Sequence, residues 1–213
     1  MRNTIIGVAA AAAIIAILFV LSRVLPGATV TPAGQAGDQM KAQIDAAAAT
    51  VKPGFLGSVN IGVWNLNCVK AQSLTPPPAP VAGGTQIRFG RCRLALPVHN
   101  AANHNSVALI AVFHPVVGAD ELALVLYTLP VSKPGAKVIL ALEQKQVIGL
   151  SVLQCQKANC VALGVLKDDV YRQVISRQHL VAVIPYASSE QRMIIPVSTV
   201  GLPQAVAAMQ RAG

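Results

Sequence analysis

Apolar residues run through this chain in three different rhythms, and each rhythm predicts a different kind of structure. From Thr4 to Ser22 they are nearly continuous: Ile5-Ile6-Gly7-Val8, the alanines Ala9 to Ala13, then Ile14-Ile15-Ala16-Ile17-Leu18-Phe19-Val20-Leu21, with Arg2 and Arg23 as flanks. A helix of roughly 20 apolar residues just crosses a hydrocarbon core. The first 25 residues therefore read as a single transmembrane signal anchor. From 26 to 54 the pattern disappears. Pro26 to Gly37 is small, proline- and glycine-rich and uncharged, the composition of a flexible spacer. Asp38 to Thr50 is alanine-rich and ends at Lys52-Pro53-Gly54, which predicts a short helix. Its large apolar residues are few, Met40 and Ile44, so it is expected to lie outside the core.

From Phe55 to the end, short β-rich runs alternate with turn residues. That spacing predicts an all-β sandwich over 55–213, of immunoglobulin-like or jelly-roll type, with one or two short helices. The expected strands are Ser58 to Lys70, Gln86 to Leu96, Ser106 to Phe113, Glu121 to Leu129, Lys137 to Leu142, Gln146 to Cys155, Cys160 to Leu166, Leu180 to Tyr186 and Met193 to Ser198. Val107 to Phe113 and Leu122 to Tyr127 are apolar at every position, so they are expected to be central strands buried on both faces. Neither is long enough to cross a membrane alone, and His114, Pro115, Asp120 and Glu121 interrupt the pair. Helical spacing appears at Lys167 to Arg177, through Val170, Val174 and Ile175, and at Leu202 to Arg211, through Leu202, Val206 and Met209.

Composition narrows the setting. The chain of 213 residues is 54% hydrophobic and 12% charged, with 17 basic residues against 8 acidic ones and a net charge of +9. A cleaved signal peptide competes with the anchor, since Arg2 resembles an n-region and Gly34-Gln35-Ala36 a cleavage site, but the apolar run exceeds the usual h-region and the site lies far beyond it. The two arginine flanks leave the positive-inside bias small. Four cysteines, Cys68, Cys92, Cys155 and Cys160, settle the orientation, because an even number behind an export signal fits two disulfides in an oxidising compartment. The expectation is a bacterial inner-membrane protein with its N-terminus in the cytoplasm and its domain in the periplasm.

Cys155-Gln156-Lys157-Ala158-Asn159-Cys160 places two cysteines on either side of a turn between apolar strands, a hairpin clasp within disulfide reach. Closing so short a loop contributes only about 2 kcal/mol, so register fixing matters as much. A Cys68–Cys92 bond would close a longer loop, containing Pro76 to Gly84, for about 3.5 kcal/mol. Metal is not expected: no C-x-x-C is present, and His99 and His104 do not complete any usual zinc spacing.

Several of these fragments, in their order, resemble the invasion associated locus B family of alphaproteobacteria. They are Trp64-Asn65-Leu66-Asn67-Cys68, the Pro134-Gly135 turn, the cysteine hairpin within Val152 to Ala162, and the ending Ile195-Pro196-Val197-Ser198-Thr199-Val200-Gly201-Leu202-Pro203-Gln204-Ala205-Val206. The resemblance spans most of Val63 to Met209. It implies an exported, disulfide-bonded β-sandwich and carries over no catalytic residue. The retained anchor, the spacer and the Pro76-Pro77-Pro78 insertion depart from the family pattern. An anchored domain argues for a partner within the envelope.

Enzyme motifs are missing: no G-x-S-x-G, H-E-x-x-H, phosphate loop or dinucleotide fingerprint occurs. His99, His104, His114 and His179 have no neighbouring carboxylate in the sequence, and the Asp120-Glu121 pair reads as a strand start. No catalytic residue and no cofactor is expected. Arg88, Arg91 and Arg93 flank Cys92, and strand alternation would put Arg91 and Arg93 on one outward face. That patch reads as a solvated face or as a site for anionic lipid headgroups or an acidic partner; nucleic acid is not expected outside the cytoplasm. The functional expectation is a noncatalytic, membrane-tethered binding or scaffold protein. The alternatives are an accessory subunit of a larger inner-membrane complex, respiratory or transport, and a secreted host-invasion or adhesion factor.

Overall fold

The computed structural model describes residues 33–70, 87–100, 103–142, 145–176 and 179–213. The expected anchor, most of the spacer and the Pro76-Pro78 insertion lie outside these. Among the described residues no helix is long and apolar enough to cross a membrane. Residues Met40–Gly213 form one compact unit.

The elements are α1 (Ala33–Ala49), β1 (Gly57–Ile61), β2 (Trp64–Cys68), β3 (Cys92–Asn100), β4 (Asn103–Pro115), β5 (Leu122–Thr128), β6 (Lys137–Leu142), β7 (Lys145–Cys155), β8 (Cys160–Leu166), α2 (Asp168–Ser176), β9 (His179–Pro185), β10 (Arg192–Ser198) and α3 (Leu202–Ala212). The strands hydrogen-bond in one antiparallel sheet of order β1-β2-β3-β4-β5-β8-β7-β6-β9-β10. The first five form a meander, and β5 to β8 form a Greek key. The packing expected of a sandwich is thus made by one sheet curling over a common core, to which β1, β2, β5, β7, β9, β10 and α3 all contribute buried residues.

Alternation decides what enters that core. Leu94 and Leu96 on β3, Leu109, Ala111 and Phe113 on β4, and Leu122, Leu124 and Leu126 on β5 point inward. Trp64 anchors the β2 side, fully buried, with its ring centroid 5.4 Å from that of Phe113. The helix α3 closes the inner side over β1, β2 and β3, burying Leu202, Ala205, Val206 and Met209 on one face. Val174 of α2 joins them, with Val170 and Ile175 at its margin.

The runs expected to be buried on both faces sit in the middle of the sheet as β4 and β5. Their outward residues Val112, Ala123 and Val125 belong to a second, smaller cluster with Phe89 and Leu163. Two expectations are corrected. The single strand expected from Ser58 to Lys70 is a hairpin, with Ile61 paired to Trp64 across Gly62-Val63. Gly62 turns there at φ +62, and a Cβ would stand 2.5 Å from the Val200 carbonyl oxygen, so only glycine fits. The helix α1 does contribute to the core, through Ile44, Ala48 and the following Val51, while Met40 is 56% exposed. Its C-terminal part meets α3 through side-chain hydrogen bonds, Gln204 donating to Asp45 Oδ1 and Arg211 to the Ala48 carbonyl.

Candidate interaction surface

Both cysteine pairs are directly opposed in the sheet. Cys68 faces Cys92 across β2–β3, and Cys155 faces Cys160 at the β7–β8 hairpin, each with alpha carbons 4.0 Å apart and bonded as a disulfide. The first is wholly inside the core; Cys155 is half-buried. The disulfides therefore act as staples that fix strand register, one on each half of the sheet.

The outer face beside the first staple carries the most unusual side-chain environment in the domain. Arg93 follows Cys92 on β3 and points outward, exposed. His114, near the end of β4, stacks on Phe89, ring centroids 4.5 Å apart and planes 20° off parallel. Phe89 reaches it because the chain before β3 bridges back, Phe89 pairing with Val116 and Gly90 N–H donating to the Pro115 carbonyl at 2.8 Å. Burial, and secondarily the Arg93 guanidinium, lower the His114 pKa from 6.5 to about 4, so its imidazole is neutral at ordinary pH. Its Nδ1 is buried with no hydrogen-bond partner among the described residues. On the edge side of Arg93, an amide row follows: Asn65 donates to Ser58 Oγ at 2.9 Å and Asn60 Oδ1 at 2.8 Å. Asn67 pairs with Arg93 in the register. On the other side lie Ala95, Ile110, Val112, Val125 and Tyr127 of the second cluster.

Of the three arginines expected to share a patch, Arg88 and Arg93 are exposed. Arg91 is not with them. It sits in the bend before β3, where alternation does not operate, and its Nη2 donates to the carbonyl of Ala212 at the end of α3. There it caps the negative end of the helix. His99 lies exposed on β3, away from His114. His104 and His179 stand in β4 and β9. Among the described residues no cluster of three metal-ligating side chains occurs.

Two concavities lie among the described residues. Asp120 and Glu121, with Pro115, Tyr171, Arg172 and Gln210, line one of about 190 Å³ between the β4–β5 turn, α2 and α3. The other, about 500 Å³, is an open groove between α1 and α3 lined by Asp45, Val51, Lys52, Gln204 and Arg211; Gln204 reaches Asp45 and Arg211 reaches the Ala48 carbonyl there. The stacked Phe89–His114 pair was not legible in the sequence, since a one-strand irregularity brings together residues that no period connects.

Comparison with known proteins agrees with the fold. A family model described as "Invasion associated locus B (IalB) protein" matches residues 64–210. Among solved structures the chain is similar to the crystal structure of invasion associated protein b from Bartonella henselae, at 17% identity and a TM-score of 0.55, over 72% of this chain and 95% of that one. No curated protein sequence matches.

Proposed function

The chain belongs to the invasion associated locus B family, and from that membership we propose that it is a noncatalytic binding or scaffold protein, anchored in the inner membrane through Thr4 to Ser22 with its domain in the periplasm. One observation carries the reading: both cysteine pairs close as cross-strand staples in a domain that follows an apolar run of membrane-spanning length. Thiols that pair in this way persist as disulfides in an oxidising compartment, and the apolar run provides the route there. The outer face then supplies the binding surface, with amide, cationic and apolar strips side by side on a rigid sheet.

A specific form of this reading makes the protein an accessory subunit of a larger membrane complex. The run Ala9 to Ala13 favours it, because small residues let a membrane helix approach its neighbours closely. Gentle-detergent affinity purification of the native chain, with identification of what accompanies it, tests both. Stoichiometric membrane proteins support the subunit form, and recovery of the full-length chain alone removes it while leaving an anchored scaffold. A truncated chain in the soluble fraction removes the anchor and moves a released host-directed factor to the front.

A further inference from the structure

The disulfide hairpin also organises a corner of the surface. The Cys155 and Cys160 sulfurs lie 3.4 and 3.6 Å from the Ser132 carbonyl oxygen, and Ala187 N–H donates to the Val131 carbonyl at 2.7 Å. Three turns, between β5 and β6, β7 and β8, and β9 and β10, are thereby gathered at one end of the sheet. That end bears Lys133, Lys137, Lys157 and Arg192, all exposed. None of the four is ion-paired among the described residues, where the one salt bridge joins Lys41 to Asp45. Glu190 is the single carboxylate described in these turns. Immediately inward from Lys137 and Arg192, the outer face of β6, β9 and β10 is apolar over two cross-strand rows: Ile139, Val183 and Ile194, then Ala141, Val181 and Pro196. Ile194 is 67% exposed.

We propose that this corner docks on the anionic surface of a lipid bilayer, the apolar rows lying against the headgroup boundary and the four cations among the phosphates. The inference deepens the reading of the chain as membrane-tethered, which makes the bilayer its nearest large surface. Charge sign and chemistry favour a bilayer over a protein. The cations sit on two separate turns and two strand starts, so they match a plane of diffuse negative charge rather than one paired site. The apolar rows are aliphatic, without the Trp, Tyr or pocket that anchors protein hot spots. Strand addition at the β10 edge is obstructed by Pro196, which has no N–H to offer a new neighbour. Net of Glu190, three positive charges near an anionic leaflet strengthen association by about a hundredfold, and salt removes that gain.

The test uses the full chain carrying Ile194→Cys labelled with a small fluorophore, reconstituted in nanodiscs of phosphatidylcholine alone or with phosphatidylglycerol, with nitroxide headgroup lipids as quenchers. The expected result is strong quenching in anionic discs, weak quenching in neutral discs or in 1 M salt, and loss in the folded Lys137→Glu/Arg192→Glu variant. Equal quenching in both discs, or none in either, overturns the docking surface while retention of the chain in neutral discs still upholds the anchor. A chain that elutes free of neutral discs but rides on anionic ones overturns the anchor and upholds the surface. Absent quenching, together with capture of an acidic protein that the double reversal abolishes, assigns the corner to that protein and overturns the lipid proposal.

Discussion

Acidification should destabilise this domain through one residue, His114. Its folded-state pKa of about 4 lies below the ordinary 6.5, first because the ring is buried and second because Arg93 stands beside it. A depressed histidine pKa means that the native state binds its proton less readily than the unfolded chain. Stability is therefore complete above pH 6.5, falls as pH drops from there toward 4, and levels off below, where both states are protonated. At about 1.4 kcal/mol per pH unit the whole effect is about 3 kcal/mol, of which about 2.5 kcal/mol is lost by pH 4.5. That is a sizeable part of the 5–15 kcal/mol typical of a domain. His114→Phe keeps a ring on Phe89 and removes the titration. Denaturant unfolding of the full chain, disulfides intact, at pH 7.5 and 4.5 and constant ionic strength gives the comparison. Wild type should lose about 2.5 kcal/mol more than His114→Phe across that interval. Parallel losses in the two proteins would refute the reasoning, and Arg93→Gln should reduce the wild-type loss only in part.

Three further outcomes are expected. Trp64→Ala, which empties a fully buried site against Phe113, should cost about 3–5 kcal/mol in the same unfolding assay. Gly201→Ala should cost at least about 2 kcal/mol, because φ is +80 and the new Cβ would stand 2.7 Å from the Ile61 carbonyl oxygen, a contact backbone cannot relieve cheaply; an effect below about 0.5 kcal/mol would contradict it. Replacing both Cys155 and Cys160 by Ser should cost about 2 kcal/mol, and the same change at Cys68 and Cys92 about 3.5 kcal/mol, following the loop each bond closes, with sequence separations of 5 and 24.

Much of this architecture is written in hydrophobic rhythm. The uninterrupted apolar runs in β4 and β5 announced strands at the centre of the sheet, with apolar neighbours on both sides. The cysteine hairpin announced its own bond, because its turn brings the two residues into register. The core role of α1 was hidden because alanine carries almost no periodic signal; Ala48 is buried in the core beside α3, whose Arg211 donates to its carbonyl. The break between β1 and β2 hinged on the conformation of one glycine, Gly62, inside a run whose alternation continues on both sides. The arginine patch failed in part at Arg91, whose place before the strand frees it from alternation and lets it cap α3. The environment of His114 was out of reach, since it depends on Phe89 folding back from a distant bend. The anionic docking corner likewise requires three turns far apart in sequence to meet at one end of the sheet.

The central claim is that a disulfide-stapled family domain is held in the bacterial envelope by its own N-terminal helix. Intact-mass analysis of the native chain, extracted from inner membranes after alkylation of free thiols, tests it most directly. The account predicts an uncleaved chain near 22.1 kDa, unalkylated and four hydrogens lighter than its reduced form. A shortened chain in the soluble periplasm, or a full-length chain alkylated at its cysteines, would contradict it.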